Sequence, residues 1–231
     1  MSVKPQENNS STASAAGPPA HEVIYRKLRE TILFGEIAPG EAVTIQGLCT
    51  LLEAGMTPVR EALRRLIAEG ALRFQGNRRV IVPTLSVANV DEIIFARHWL
   101  ESHMAERASL RATTALWQEL ADIDAHIDAA IRRGDLHAYL RHNYMFHKKI
   151  YVMADTPILL DLADGLWLRF GPSLRVMIVR SGTQSLPDKH KDLLDCMRRG
   201  DAEGAARAMR EDMLQGMDQI RRLVSTADEG G

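Results

Sequence analysis

The sequence predicts a mainly α fold in two parts: a small helical head that carries one β-hairpin, and an all-α helical bundle behind it. Three observations lead there. Aromatic residues make up only 5% of the 231 residues, while Ala, Leu, Arg and Glu are plentiful, a mixture that favours helices over sheets. Apolar residues recur at helical spacing along most of the chain, interrupted by Gly and Pro at the joints. Only over 71–82 does the texture change to two short strand-like runs around a Gly-containing turn. Hydrophobic residues reach 45%, so each part can bury a core.

Residues 1–20 are rich in Ser, Ala, Pro and Asn and lack an apolar period, so they are expected to form a disordered tail. From His21 onward, Val23, Ile24, Leu28 and Ile32 mark one face of a helix that stops near Gly35. Ala38-Pro39-Gly40 is a turn, followed by a short helix over 44–52 with Ile45, Leu48 and Leu52 inward. A break at Ala54-Gly55-Met56 leads to a third helix over 58–69. Thr57 is expected to cap it, with Pro58 in the first turn, where a missing N–H costs nothing. Its inner side carries Val59, Ala62, Leu63, Leu66 and Ile67, and Gly70 ends it. Strands over 71–74 and 79–82 flank Gln75-Gly76-Asn77-Arg78 as a hairpin. Helix, short helix, turn, helix, hairpin is the order of a winged helix-turn-helix, here spanning 21–84.

Beyond a linker at 83–86, helices are expected over 87–110, 114–133, 136–154, 157–180, 186–199 and 202–224. Gly134-Asp135, Asp155-Thr156-Pro157, Gly182 and Gly200-Asp201 mark the joints. These helices form an all-helical domain over 87–224, and residues 225–231 are expected to fray. Trp99, Trp117, Trp167 and most Met residues fall at helical spacing among apolar groups and are assigned to the core. Around Leu166 to Pro172 two readings stand: a kink at Pro172, or a cavity lined by Arg169.

The formal net charge of -1 does not advertise a nucleic-acid binder, so the placement of charge has to speak. Over 60–79 stand Arg60, Arg64, Arg65, Arg73, Arg78 and Arg79 against Glu61 and Glu69, a net of +4. Arg60 and Arg64 lie four apart on one helix face, away from Leu63 and Ile67. Such a helix can enter a major groove, with its first turn at base edges and later arginines on phosphates. Glu61 and Glu69 equally allow a solvated, ion-paired surface. Cys49 and Cys196 follow no pairing or zinc-finger spacing and read as reduced thiols of a cytoplasmic protein. The first twenty residues carry no apolar leader, and no apolar run reaches about 18 residues.

The run Thr57-Pro58-Val59-Arg60-Glu61-Ala62-Leu63-Arg64-Arg65-Leu66, preceded by Gly35-Glu36-Ile37-Ala38-Pro39-Gly40, resembles the DNA-binding domain of the GntR family of bacterial regulators. The resemblance implies a double-stranded DNA operator as partner, with Arg60 reading a guanine and Thr57 touching the backbone. Arg64, Arg65, Arg78 and Arg79 are then the further DNA contacts. Two departures stand out. Gly55-Met56 replaces the family's usual Ser-Arg or Thr-Arg, removing one arginine contact. Arg79 replaces the usual wing glycine, adding a cation near the minor groove.

The second half resembles the all-helical sensor of the FadR branch, the FCD domain. Arg97-His98-Trp99-Leu100-Glu101, Asn143-Tyr144-Met145-Phe146-His147, Lys189-His190 and the stretch from Gly200 to Asp212 carry the likeness. Many members of that branch hold a divalent metal, and the matching residues here are Asn143, His147, His190 and Asp212. The last replaces a histidine. Asn143 and His147 share a helix face at i, i+4, and two nitrogens with two oxygens suit zinc, nickel or manganese. Six further histidines carry no such role, so a stray imidazole is the plain alternative. Arg97 matches an arginine that pairs with an effector carboxylate, whereas its local alternative is an ion pair with Glu101 at i, i+4.

Together these readings imply a homodimeric transcription regulator whose operator affinity answers to a small organic-acid effector in a metal-containing helical domain. A metal-free regulator with a larger ligand, and a metalloenzyme using two His and a carboxylate, are the competing readings.

Overall fold

The computed structural model describes residues 18–76, 79–182 and 188–228, and the statements below concern those residues. The head opens with α1 (Ala20–Leu33), which buries Ile24, Tyr25, Leu28 and Ile32 on one face and closes at Gly35 with φ 67°. Ala20 is thus already helical, while residues 1–17 of the expected tail lie outside the described residues. After the turn comes β1 (Ala42–Thr44), then α2 (Ile45–Leu51), whose first turn is capped by the Thr44 hydroxyl accepting from the Gly47 N–H at 3.0 Å.

The third helix, α3 (Met56–Ala68), begins before Thr57. Gly55 is its cap residue, in an extended conformation with no side-chain cap bond, and this corrects the expected Thr57 cap. Glu53 turns the chain with φ 51°, leaving the extended step to Gly55. Pro58 becomes the third helical residue, still among the N–H positions that lack an intrahelical partner, so it is tolerated. Thr57 is left exposed on the outer side of the helix.

Strands β2 (Arg73–Gln75) and β3 (Arg79–Ile81) form the expected hairpin, but the sheet has three strands in the order β1-β3-β2, all antiparallel. Val80 faces Val43 on one side and Phe74 on the other and is fully buried. Strand β1 is an addition to the sequence reading: three residues carry too short a period to stand out.

The bundle comprises α4 (Val87–Arg111), α5 (Thr114–Arg133), α6 (Leu136–Ala154), α7 (Pro157–Ser181), α8 (Lys189–Arg199) and α9 (Ala202–Asp228). Its caps are chemically explicit. Ser86 and Asn89 form a capping box on α4, and Thr113, Asp135 and Asp188 accept from the first turns of α5, α6 and α8. Helix α7 runs on through Pro172 without ending. Helix α9 continues past 224 to Asp228, so residues 225–228 are helical rather than frayed, and the expected start of α8 at 186 falls outside the described residues.

Helix α4 lies along α9, α5 packs on α6, and α8 closes against α9. Trp167 is buried, and Trp117 is partly buried with its Nε1–H donating to the Leu194 carbonyl at 3.0 Å. Trp99, expected in the core, is 64% exposed, as its neighbour one turn back, Phe95, is 70%. The inner stripe of α4 is taken instead by Val90, Ile93, Arg97, Glu101 and Met104. The head rests on the bundle through α1 against α7. Arg169 reaches back to donate to the Glu69 carbonyl at 3.2 Å.

Candidate metal centre and nucleic-acid interface

Four helices converge on one small cavity. Its walls include Arg97 of α4, Asn143 and His147 of α6, Trp167 and Phe170 of α7, and Asp212 of α9, and its volume is about 70 Å³. Helix α8 adds His190 from the side. The ligand atoms of His147, His190 and Asp212 all lie within 4.8 Å of one another. His147 Nε2 stands 3.2 Å from Asp212 Oδ2, and His190 Nε2 stands 3.6 Å from Asp212 Oδ1. Those separations bracket the edge, about 3.3 Å, of a tetrahedron with metal–ligand bonds of about 2.0 Å.

Burial makes the arrangement demanding. Asn143, His147 and His190 are buried, while the Asp212 side chain keeps 20% of its surface. Burial alone would push the Asp212 carboxyl up, but His190, His147 and Arg97 outweigh it and hold the pKa at about 2. Burial likewise opposes charge on His190, yet the Asp212 and Asp124 carboxylates prevail and raise its pKa. His147 Nδ1 is buried without a hydrogen-bond partner. Two Nε2 atoms convergent on one carboxylate fit a divalent cation by their chemistry: two borderline nitrogens, one anionic oxygen and the amide of Asn143 within the same cavity.

Arg97 reaches this cavity, but its guanidinium is held by Glu101, through Nε at 2.5 Å and Nη2 at 2.9 Å. The planar group lies 4.1 Å above the Phe170 ring. The ion pair with Glu101, the local alternative, is thus formed, and Arg97 also lines the cavity. Two acidic residues at the site escaped the sequence reading as site groups. Asp124 of α5 is 2% exposed and faces His190 Nδ1 at 3.3 Å, and Glu101 is 1% exposed and lies 4.0 Å from His147 Nδ1. The signal was present: Asp124 interrupts the buried stripe Leu120, Asp124, Ile127, and Arg97 and Glu101 interrupt that of α4.

On the head, Thr57, Arg60 and Arg64 share the exposed side of α3. Among the described residues Arg60 and Arg64 make no ion pair, which leaves their guanidiniums available to an anionic partner. Arg65 differs: it pairs with Glu22 and Glu69, each at 3.1 Å, and lies 3.6 Å over the Tyr25 ring. Arg79 is exposed on β3, and Arg78 lies outside the described residues. Met56, 45% exposed, is the first residue of α3, where the missing arginine would have stood.

Residues 20–82 match the bacterial regulatory proteins of the gntR family, and residues 92–215 match the FCD domain. The chain belongs to the GntR family of transcription regulators, in its FadR-like branch. It is 28% identical over 195 residues to the HTH-type transcriptional regulator McbR of Escherichia coli, covering 83% of this chain and 88% of that one. The HTH-type transcriptional repressor RspR of the same organism is 25% identical, over 89% of this chain and 90% of that one. In three dimensions the solved Escherichia coli McbR/YncC superposes with a TM-score of 0.83 at 26% identity, covering 89% of this chain and 99% of that one. A putative GntR regulator from Rhodococcus shares the fold, with a TM-score of 0.70 at 18% identity over 87% of this chain and 96% of that one. This GntR-family chain therefore joins a DNA-binding head to an FCD effector domain and, like the relatives named above, is a regulator rather than an enzyme. No helix among the described residues is long and apolar enough to cross a membrane.

Proposed function

We propose that this regulator holds a divalent ion, zinc, nickel or manganese, between His147, His190, Asp212 and Asn143, and that a small organic acid completes the site. The convergence of two imidazole Nε2 atoms on Asp212 inside a closed bundle carries the reading. The ion would supply a Lewis-acidic anchor for an oxygen ligand. The protein's residues do the rest: Arg97 offers positive charge at the cavity wall, Trp167 and Phe170 exclude water, and Tyr139 contributes a phenol kept protonated by burial. A cavity of about 70 Å³ is far below the 300 Å³ or so of pockets for drug-sized ligands. That size favours a compact carboxylate over a long-chain effector.

The head reads an operator through Thr57, Arg60 and Arg64 of α3, with Arg78 and Arg79 on the wing at the backbone and Arg65 bracing the helix from behind. Two heads of a cytoplasmic homodimer would address the two halves of a palindrome. A crevice of about 540 Å³ lies where Gly70, Pro83 and Leu85 of the head and linker face Ile93, Leu162 and Arg169 of the bundle. It gives the head room to tilt when the ion site fills. A tenfold change in operator affinity needs only about 1.4 kcal/mol of differential binding.

Elemental analysis of tag-free protein, paired with a gel shift on its own upstream DNA with and without chelator, tests the reading. Stoichiometric metal and a chelator-sensitive shift are expected. Protein that takes up none of the three ions at micromolar concentration would defeat the metal site, and unretarded DNA would defeat the operator.

A further inference from the structure

Each imidazole of the candidate centre is turned the same way. Its Nε2 faces Asp212 at the centre, and its Nδ1 faces outward to a second, buried carboxylate: Asp124 for His190 at 3.3 Å, Glu101 for His147 at 4.0 Å. Each outer carboxylate is in turn matched by a cation. Lys191 Nζ is bound to Asp124, and Arg97 grips Glu101 through two nitrogens. Tyr151 also hydrogen-bonds Glu101. The two outer carboxylates come from α4 and α5, whereas the rings come from α6 and α8, so the pairing is tertiary.

We infer that Asp124 is a positioning residue that fixes the His190 ring with the proton on Nδ1 and the lone pair of Nε2 aimed at one ion, whereas Glu101, at 4.0 Å, is too far from His147 Nδ1 to do the same for that ring. The inference rests on the metal reading above. A neutral imidazole carries one proton on either nitrogen, and the partner of the non-ligating nitrogen decides which. A carboxylate accepts and cannot donate, so facing Nδ1 it selects the Nδ1–H form. The acidic cluster of Asp124, Asp128 and Asp188 is no second cation site, because Lys191 Nζ already lies against all three.

Asp124 would not ligate the ion, so its substitution should weaken binding without abolishing it. Asp124→Asn keeps the size of the side chain but lets its amide donate to Nδ1, favouring the wrong tautomer. Zinc affinity, measured by competition with a chromophoric chelator, is expected to fall roughly 10- to 100-fold. Asp128→Asn removes a half-buried partner of Lys191 without touching a ring and should leave affinity unchanged. Nitrogen-15 spectra of zinc-loaded wild-type protein supply a readout that needs no variant: the His190 ring should show metal on Nε2 and a proton on Nδ1. Full zinc affinity in Asp124→Asn, or metal on His190 Nδ1 in the wild-type spectra, overturns the inference. Wild-type protein that binds no zinc, nickel or manganese defeats the underlying metal reading, and the inference with it.

Discussion

Gly171 of α7 lies so close to Leu33 at the end of α1 that an added Cβ would stand 2.5 Å from the Leu33 carbonyl oxygen. Helix α7 is the element that carries both Trp167 of the cavity and the contact with the head. The absence of a side chain at one position thus lets the sensor helix approach the backbone of the head directly. The nearest contact of a methyl group there is a main-chain oxygen, which cannot swing aside as a side chain could. Gly171→Ala is therefore expected to lower unfolding stability by about 1–3 kcal/mol through overpacking. Urea unfolding checks it, and an unchanged midpoint would show that α1 can slide along α7 freely.

The arginines of the head divide by what already holds them. Arg60 has no ion-pair partner among the described residues, whereas Arg65 is engaged by Glu22, Glu69 and the Tyr25 ring. Arg60→Ala should cost about 1–3 kcal/mol of operator binding and relax the preference at one base pair. Arg65→Ala should cost less in binding and act on the packing of α1 against α3, visible as a lower Tm. Fluorescence anisotropy on operator and scrambled duplexes separates the two. Equal losses from both substitutions would mean that the Arg65 pairs open on DNA.

Met56 and Arg79 give a matched pair of tests. Met56→Arg restores a cation at the first position of α3 and should tighten binding, with a steeper salt dependence. Arg79→Ala should reduce the slope of log affinity against log salt by about 1 if that residue meets a phosphate. Retained affinity with the same slope would remove Arg79 from the interface.

The order of elements was legible because caps and breakers are local. Thr113, Asp135 and Gly134 bound α5 and α6 at the positions their chemistry implies. Strand β1 was not legible, because its three residues become a strand only when β3 pairs with them across the turn. Trp99 misled for a related reason: its helical spacing is apolar, but the face buried on α4 includes Arg97 and Glu101, which satisfy each other. The candidate ligand residues could be matched through motifs on single helices. Asp124 and Glu101 could not, since their relation to the rings exists only after α4, α5, α6 and α8 have packed.

Metal loading should register in stability as well as in composition. An ion that binds only the folded chain adds about 2.7 kcal/mol at a hundredfold excess over its Kd. For a chain of this size that is a rise of roughly 5–10 °C in Tm. His147→Ala and Asp212→Ala should each erase the shift. A shift that survives both substitutions would place the ion elsewhere.

Asp164 offers the sharpest test of communication between the two halves. It accepts from the Tyr144 hydroxyl at 3.1 Å, pairs with Lys148, and receives Arg29 of the head at 3.7 Å. Tyr144 follows Asn143 in α6, and its ring stands edge-on to Trp167 and to Phe34 of the head, with centroids 5.3 and 6.2 Å apart. Trp167 in turn contacts the His147 ring at 5.3 Å. A displacement of Asn143 and His147 on α6 thus has a continuous packed route to α1. Asp164→Asn weakens the ionic part of that route and leaves every cavity residue in place. Metal affinity should stay at the wild-type value, while the ratio of operator affinities with and without the ion should move toward one. Asp161→Asn, an exposed residue on the same helix with no ion pair among the described residues, serves as the control. An undiminished ratio in Asp164→Asn would mean that the signal reaches the head through the linker at 83–86 and not through α1.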